Sequence, residues 1–554
     1  MKVELQALLS RALRRAYEDG SFPVQPLPVP GIEAPREAEH GDLSTNVALV
    51  AAKQARRPPR ELAAALIEHI DDSEGILARV EVAGPGFINF TFSISAWGKR
   101  LLAMLDDGSE YGKLGIGKGK SVQIEFVSAN PTGPLHIGHG RGAAVGDALA
   151  RVLEAAGYSV QREYYVNDAG VQIQVLGRSV RARYLELCGR DGCFPEDGYP
   201  GEYIYDVART IFERDGNKWA DTPAEDAVGR FGRWASDILL DRIRADLRAF
   251  GVRFDRFTSE RALRAEGAVE RAIACLRDRG FVFDAEEAVW FRSSGFGDDK
   301  DRPLVKRDGE LTYFASDIAY HWTKCKEPHE KIIDVWGADH HGYVTRVRSA
   351  IEALGEDPGR LEVLLVQMVN LTRDGVPVRM GKRSGTFVAL KDVVDEVGAD
   401  LARFFFLMRK ADAQLDFDLE LARRQSSENP VFYVQYAHTR IAGIFRQASE
   451  KGIADPLPSA ATVARLVETE EIGLIRTLDA FPDIVEAAAA NLEPHRLVFY
   501  AQKLAGEFHR FYSRHKCVSE DTSLTAARLL LVRAVKLVIG RSLGLVGVNA
   551  PERM

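Results

Sequence analysis

Residues 121–142 read SVQIEFVSANPTGPLHIGHGRG. Val122, Ile124 and Phe126 alternate with polar residues, the period of two that marks a strand. Residues 143–156 carry apolar side chains at helical spacing and stop at Gly157, so the sequence predicts a strand, a tight connection and a helix. A helix N-terminus presents unpaired N–H groups and the positive end of its dipole, which makes the connection at 130–140 a place for phosphates. Gly138 and Gly140 let backbone or base approach closely, and Pro131, Gly133 and Pro134 stiffen the approach. His136 and His139 can face one ligand and donate hydrogen bonds to phosphoryl oxygens as charge shifts in a transition state, with no side-chain nucleophile required. The competing reading is a chance pair of histidines near a helix start. The preceding strand favours the nucleotide, because ligands of open α/β sheets bind where strands end.

The segment resembles the HIGH signature of class I aminoacyl-tRNA synthetases. With YYVNDAGVQIQ at 164–174, ANPTGPLHIGHGRG is similar to the bacterial arginyl-tRNA synthetases, and the likeness covers nearly the whole chain. The resemblance implies a Rossmann-like α/β catalytic domain with a parallel sheet, an α+β N-terminal domain and an all-α C-terminal anticodon-binding domain. It also implies ATP-dependent activation of L-arginine to arginyl-adenylate and transfer to the 3′ end of tRNA(Arg), with Mg2+ accompanying the nucleotide. Adenylate formation in that family waits for tRNA. Pro131, Gly133, His136, Gly138 and His139 then contact ATP.

A second phosphate element is expected downstream. VRMGKRSGTFVAL at 378–390 resembles the KMSKS loop, with Arg379 and Gly381 in place of the family's first lysine and serine and Lys382 at its second lysine. Met380, Lys382 and Arg383 are assigned to ATP on that resemblance, Lys382 as a catalytic residue beside His136 and His139. A compact ammonium on a flexible stem suits departing pyrophosphate, and Gly381 and Gly385 permit loop movement. Without the HIGH-like turn, RDGVPVRMGKRSG reads more readily as an ordinary basic surface hairpin.

An arginine guanidinium needs a planar, bidentate carboxylate in a pocket partly closed to water. Glu125, Asp317 and Asp339 are the candidates, and Tyr313 stands one helical turn before Asp317. The resemblance puts Ser128, Asn130, His139, Tyr313 and Asp317 around the amino acid. In ADHHGY at 338–343 the correspondence of Asp339, His340 and His341 stays open, and each carboxylate also has a reading as a cap or ion-pair partner.

At 554 residues the chain is too long for one typical core, and two to four domains are expected. A 46% hydrophobic and 28% charged composition fits a globular, water-soluble protein. There is no apolar run of membrane-spanning length, and the start MKVELQALLSRALRRAYEDG lacks a signal peptide's apolar core, so a cytoplasmic location without membrane contact is expected. The 5 cysteines are scattered, and neither a disulfide framework nor a structural zinc site is expected. A monomer is expected. The net charge of −7 does not advertise nucleic acid. From 495 to 554, however, ten Lys and Arg face four Asp and Glu, with Phe508, Phe511 and Tyr512 woven through EFHRFYSRHK. Arg510, Tyr512, Arg514 and Lys516 are therefore assigned to tRNA, since cations interleaved with aromatics suit phosphates and unpaired bases. The alternative is a solvated helical face over buried aromatics.

Three domains follow: 1–105, appended and tRNA-contacting; 106–419, catalytic, with a helical insertion near 175–285; and 420–554, helical and anticodon-binding. The Gly/Lys-rich DDGSEYGKLGIGKGK that follows the first reads as a flexible linker. Rival readings are another class I synthetase, a small-molecule nucleotidyltransferase with an HxGH turn, and a tRNA-binding paralogue without catalysis. The first lacks the expected editing insertions or zinc ligands, the second has no use for the long helical C-terminus, and intact His136, Gly138, His139 and Lys382 argue against the third.

Overall fold

The computed structural model describes residues 1–35, 37–378, 388–426 and 428–554. At its centre Ser121–Glu125 pairs in parallel with Ser159–Val166 on one side and Lys331–Gly337 on the other, and Arg256–Ser259 and Leu361–Val366 complete a 5-stranded sheet. The chain builds outward from the central strand in one direction and then returns to build in the other. The switch point between Ser121–Glu125 and Lys331–Gly337 is where such sheets open a ligand crevice. Val122, Gln123, Ile124 and Glu125 are all buried, so the strand's polar face is as dry as its apolar one.

The strand–helix unit read from the sequence is present, with the helix running Ile137–Ala155. Gly157, at φ +91°, ends it, its N–H bonding Glu154 O while Tyr158 N bonds Leu153 O. A Cβ on Gly146 would lie 2.3 Å from the Phe126 ring, so this glycine sets how closely helix and strand pack.

Helices Val171–Leu187, Glu202–Asp215 and Ala224–Ala249 pack around their own core of Leu176, Tyr184, Ile204 and Phe231. The helical insertion expected near 175–285 is shorter than its sequence suggests. Arg256–Ser259, inside that range, is the edge strand of the central sheet, its four residues too few to carry a readable period. The supposed linker also departs from its composition. Tyr111 is buried with its hydroxyl donating to Leu478 O at 2.9 Å, and Leu114 N and Gly117 N bond Ala155 O and Ala156 O. A Cβ on Gly117 would lie 2.5 Å from Tyr158 N, so this glycine serves close approach rather than flexibility.

The N-terminal domain is an antiparallel 4-stranded sheet, Ile32–Glu33, Leu43–Thr45, Phe87–Phe92 and Leu77–Ala83 in spatial order, with helices that include Lys2–Glu18 and Pro59–Glu68. The C-terminal domain is helical, its longest elements Pro430–Glu450, His495–Arg514 and Thr522–Leu545. It is fastened to the catalytic domain by Arg403, which is buried, pairs with Asp147 and donates to Phe250 O and Val546 O. Among the described residues no helix is long and apolar enough to cross a membrane.

Candidate active site

His136 is the N-cap of helix Ile137–Ala155. Its Nδ1 accepts from Gly138 N at 3.1 Å and His139 N at 3.3 Å, while His139 Nδ1 accepts from His136 N at 3.3 Å. The two imidazoles stack, centroids 3.6 Å apart. The structure thus brings the two histidines together, but with the imidazole of His136 on N–H groups that the sequence reading reserved for phosphate. Phosphate can reach those amides once that ring turns away. A Cβ on Gly138 would meet the His136 ring at 3.0 Å, whereas one on Gly140 would meet Leu390 Cδ1 at 2.5 Å. Gly140 therefore serves helix packing, not approach of a base.

The segment carrying Met380, Lys382 and Arg383 lies outside the described residues, but its flanks do not. Val378 N bonds Leu371 O on one side; on the other, Leu390 N bonds Leu135 O at 2.7 Å and Ala389 bridges to His136. Arg141, fully buried, braces the same region by donating to Gln367 O, Ala413 O and Lys410 O, each at 2.8 Å. Burial lowers its pKa to about 10.

Just past the central strand, Val127 (φ +69°) and Ser128 (φ +39°) occupy the left-handed region that side chains avoid. Ser128 holds the turn by donating from Oγ to Glu125 Oε1 at 2.8 Å and accepting from Tyr165 N at 3.1 Å. The other Glu125 oxygen accepts from Tyr320 OH at 2.9 Å and Lys324 Nζ at 2.7 Å. Lys324, buried completely, also pairs with Asp334, which in turn meets His321 Nε2 at 2.9 Å. Burial alone pulls the Lys324 pKa down, but Asp334 and Glu125 outweigh it and raise it. Tyr320 further donates to Glu163 at 3.1 Å. Of this polar cluster behind the crevice only Glu125 and Ser128 were singled out from sequence. The signal was present in SDIAYHWTK, whose Asp317, Tyr320 and Lys324 recur at helical spacing, but amphipathic surface helices share that pattern.

Helix Tyr313–Lys326 sets Tyr313, 48% exposed, at its first turn, with the hydroxyl beside Gly170. Asp317, half-buried one turn on, accepts a hydrogen bond from Tyr343 OH. Burial raises its pKa to about 6, against the lowering effects of Tyr343 and His321 and with further upward pushes from Glu260 and Glu125. The hydroxyl of Tyr165, stacked on Tyr320 at 4.2 Å, and Glu260 Oε2 are buried without a hydrogen-bond partner. Asn130 donates to Gln172 Oε1 at 2.6 Å. Tyr203, from the inserted helices, donates to Thr132 O at 2.9 Å and lies 3.1 Å from where a Cβ on Gly133 would be, so it fixes the loop leading to Pro134. Asp339, on the turn after Lys331–Gly337, has a side chain 73% exposed and 3.9 Å from His340, apart from the buried cluster.

In the C-terminal domain Tyr512 is 40% exposed, Arg514 is exposed and paired with Glu470, and Lys516 is exposed. Arg510 and Arg514 line a cavity of about 530 Å³ shared with Phe92 and Trp97 of the N-terminal side. Beside it runs a ladder that sequence reading missed. Phe432 stacks on Tyr436 at 5.7 Å, and the Arg440 guanidinium lies 4.5 Å from the Tyr436 ring and 4.8 Å from that of Tyr512. Phe432, Tyr436 and Arg440 recur every four residues along helix Pro430–Glu450, but Tyr512 comes from His495–Arg514, about seventy residues on, so the local pattern does not show what closes the ladder.

Three family models match the chain: the arginyl tRNA synthetase N terminal domain over 3–92, the tRNA synthetases class I (R) catalytic domain over 100–187 and 226–416, and the DALR anticodon binding domain over 434–554. The chain is 49% identical to an arginine–tRNA ligase of Citrifermentans bemidjiense, over 100% of both chains, and 51% identical to one of Desulfosudis oleivorans, again over 100% of both. Its fold is similar to that of Thermus thermophilus arginyl-tRNA synthetase, with a TM-score of 0.75 at 23% identity over 99% of this chain and 100% of that one. A Mycobacterium tuberculosis methionyl-tRNA synthetase in complex with methionyl-adenylate shares the fold more distantly, with a TM-score of 0.55 at 13% identity over 77% and 90% of the two chains. With its crevice at the switch point, its paired histidines and its three matched domains, this chain belongs to the arginyl-tRNA synthetases of class I, the arginine–tRNA ligases.

Proposed function

We propose how the residues of this ligase divide its two reactions, adenylation of arginine by ATP and transfer of the arginyl group to tRNA. His136 and His139 take the triphosphate, with Pro131, Gly133 and Gly138 shaping its approach and Met380, Lys382 and Arg383 taking the roles that the likeness to the KMSKS loop assigns them. The observation that carries this reading is the attachment of Ala389 and Leu390 to the turn at Leu135 and His136, which tethers one flank of the Lys382 segment to the paired histidines. The arginine carboxylate then attacks the α-phosphate in line, and these cations and N–H donors offset charge on the departing pyrophosphate. Mg2+ would arrive with the nucleotide and shield its charge. Among the described residues the trio spaced to ligate a metal is Glu37, Glu39 and His40, exposed in the N-terminal domain.

Asp317 receives the guanidinium, with Tyr313 over it and the orphaned polar atoms of Tyr165 and Glu260 nearby. In support, its carboxylate is half-buried, as a bidentate partner must be. Glu125, paired with Lys324, completes the amino-acid site with Ser128, Asn130 and His139; Asp339 contributes from the rim. Arg510, Tyr512, Arg514 and Lys516 meet tRNA beside the Tyr436–Arg440–Tyr512 ladder, whose exposed rings suit unpaired bases. The domains divide near 105 and 419, and the enzyme acts as a cytoplasmic monomer. ATP–pyrophosphate exchange over the twenty amino acids, with and without tRNA, tests the division. Exchange with arginine, lost in His136→Ala and Lys382→Ala variants that stay folded, is expected; normal exchange in either variant overturns the assignment.

A further inference from the structure

Far along helix Ile137–Ala155 from the histidines lies a cavity of about 900 Å³ where four parts of the chain meet, His438 of helix Pro430–Glu450 among them. Lys113 comes from the segment joining the N-terminal and catalytic domains, Arg151 and Glu154 from the end of the helix, and Arg533, Lys536 and Arg541 from helix Thr522–Leu545. Five cations thus line one space with a single carboxylate. Gly540 and Gly544, with no side chains, keep the wall open. Neither helix carries a basic residue in its last turn, so complementing a helix dipole does not account for the cluster.

Four of the cations have a partner: Lys113 with Glu110, Arg151 with Asp147, Arg533 with Asp455 and Lys536 with Glu552. Three of those carboxylates are 66%, 73% and 66% exposed, and pairs of that kind bind weakly in water. Arg541 differs. Among the described residues no carboxylate lies within 4.0 Å of it, and its Nε and Nη2 are buried without a hydrogen-bond partner. Burial lowers the Arg541 pKa against the attraction of Glu110, which reaches it only from beyond 4.0 Å, so two of its guanidinium nitrogens stand out of water with no bond until an anion reaches them.

We propose that this junction is a second anion site, distinct from the catalytic crevice, that takes phosphate groups of a small polyphosphate. The volume falls in the range of small-molecule sites, and guanidinium and ammonium groups converging from three segments suit several phosphates better than one. An anion held there bridges the linker, the catalytic helix and the last helix, and so braces the anticodon-binding domain against the catalytic one. Phosphate oxygens are supplied by free polyphosphate or by the backbone of tRNA, and the two sources are separable.

The test is isothermal titration of the full chain with inorganic tripolyphosphate, the crevice being filled with arginine and the α,β-methylene analogue of ATP, which occupies the triphosphate site as well. One tripolyphosphate per chain is expected, with affinity falling as salt rises. The variant Arg541→Gln/Lys536→Gln should weaken it roughly tenfold or more, while Arg541→Lys, which keeps the charge, retains more of it. Pyrophosphate exchange at saturating tRNA should be unchanged in all of these, because none touches the crevice. Absence of binding with the crevice filled, or equal binding by the folded double variant, overturns the proposal. Displacement of tripolyphosphate by tRNA identifies the tRNA backbone as the source of phosphate; retention of both identifies a free polyphosphate.

Discussion

Lys324 Nζ lies 2.7 Å from Glu125 Oε2, and the lysine side chain has no exposure to solvent. The pair joins the C-terminal end of the central strand to the helix that presents Asp317, so one buried charge sets two walls of the proposed amino-acid site. Removing the lysine leaves two buried carboxylates without their shared cation, Glu125 with only the Ser128 and Tyr320 hydroxyls and Asp334 with only His321. Lys324→Met is expected to cost about 3–5 kcal/mol in denaturant unfolding. Adding Glu125→Gln should recover part of that loss; a double variant as unstable as the sum of the two singles would contradict the pairing.

Asp317, with its pKa raised to about 6, should impose a pH dependence on arginine binding. The carboxylate must be ionised to meet a guanidinium, so KM for arginine rises as pH falls below about 6 and levels off above it. Stability runs the opposite way: a carboxyl whose folded pKa exceeds its ordinary value binds more protons in the folded state, and its contribution to stability is lost as pH climbs from about 4 to about 6. Asp317→Asn should abolish the inflection in KM while raising KM throughout. An inflection that persists in this variant assigns the titration elsewhere.

His136 caps its helix and, in the proposed function, takes the triphosphate, two duties that substitution separates. His136→Ala should lose about 1 kcal/mol of stability with the cap and about 3 kcal/mol of transition-state stabilisation in pyrophosphate exchange. Asparagine at that position can cap the helix, so His136→Asn should restore the thermal midpoint and leave exchange slow. Recovery of both together would mean that the imidazole acts on folding alone.

The linker glycines differ in what surrounds them. A Cβ at Gly117 would lie 2.5 Å from Tyr158 N and 2.6 Å from Gly157 C, backbone atoms that cannot step aside, while Gly115 has nothing within 4 Å. Gly117→Ala is expected to destabilise by about 1–3 kcal/mol; Gly115→Ala should fall within about 0.5 kcal/mol of the parent. Thermal unfolding of the two variants checks the contrast.

Tyr436 belongs to the ladder on the C-terminal domain. If it stacks on a base, Tyr436→Ala should raise KM for tRNA by the equivalent of about 1–3 kcal/mol, with KM for arginine unchanged. An equal rise in both would point to a change in the fold instead.

What the sequence by itself determined is whatever is local. The period-two run from Val122 to Phe126, the helix that stops at Gly157 and the histidines at its start are all written within about thirty residues, because backbone preference and nearest-neighbour spacing decide them. The tertiary structure decided which polar residues share a dry space. Gln123 and Glu125 alternate with apolar neighbours as solvent-facing residues do, yet they are buried because a parallel strand is covered on both faces. Lys324 finds Glu125 199 positions away, Arg440 reaches Tyr512 between two helices, and Gly117 is closed against Tyr158 by packing that composition alone reads as flexibility. Such pairings depend on how sheet and helices stack, where burial changes what a charge or a glycine does, and no window along the chain contains both partners.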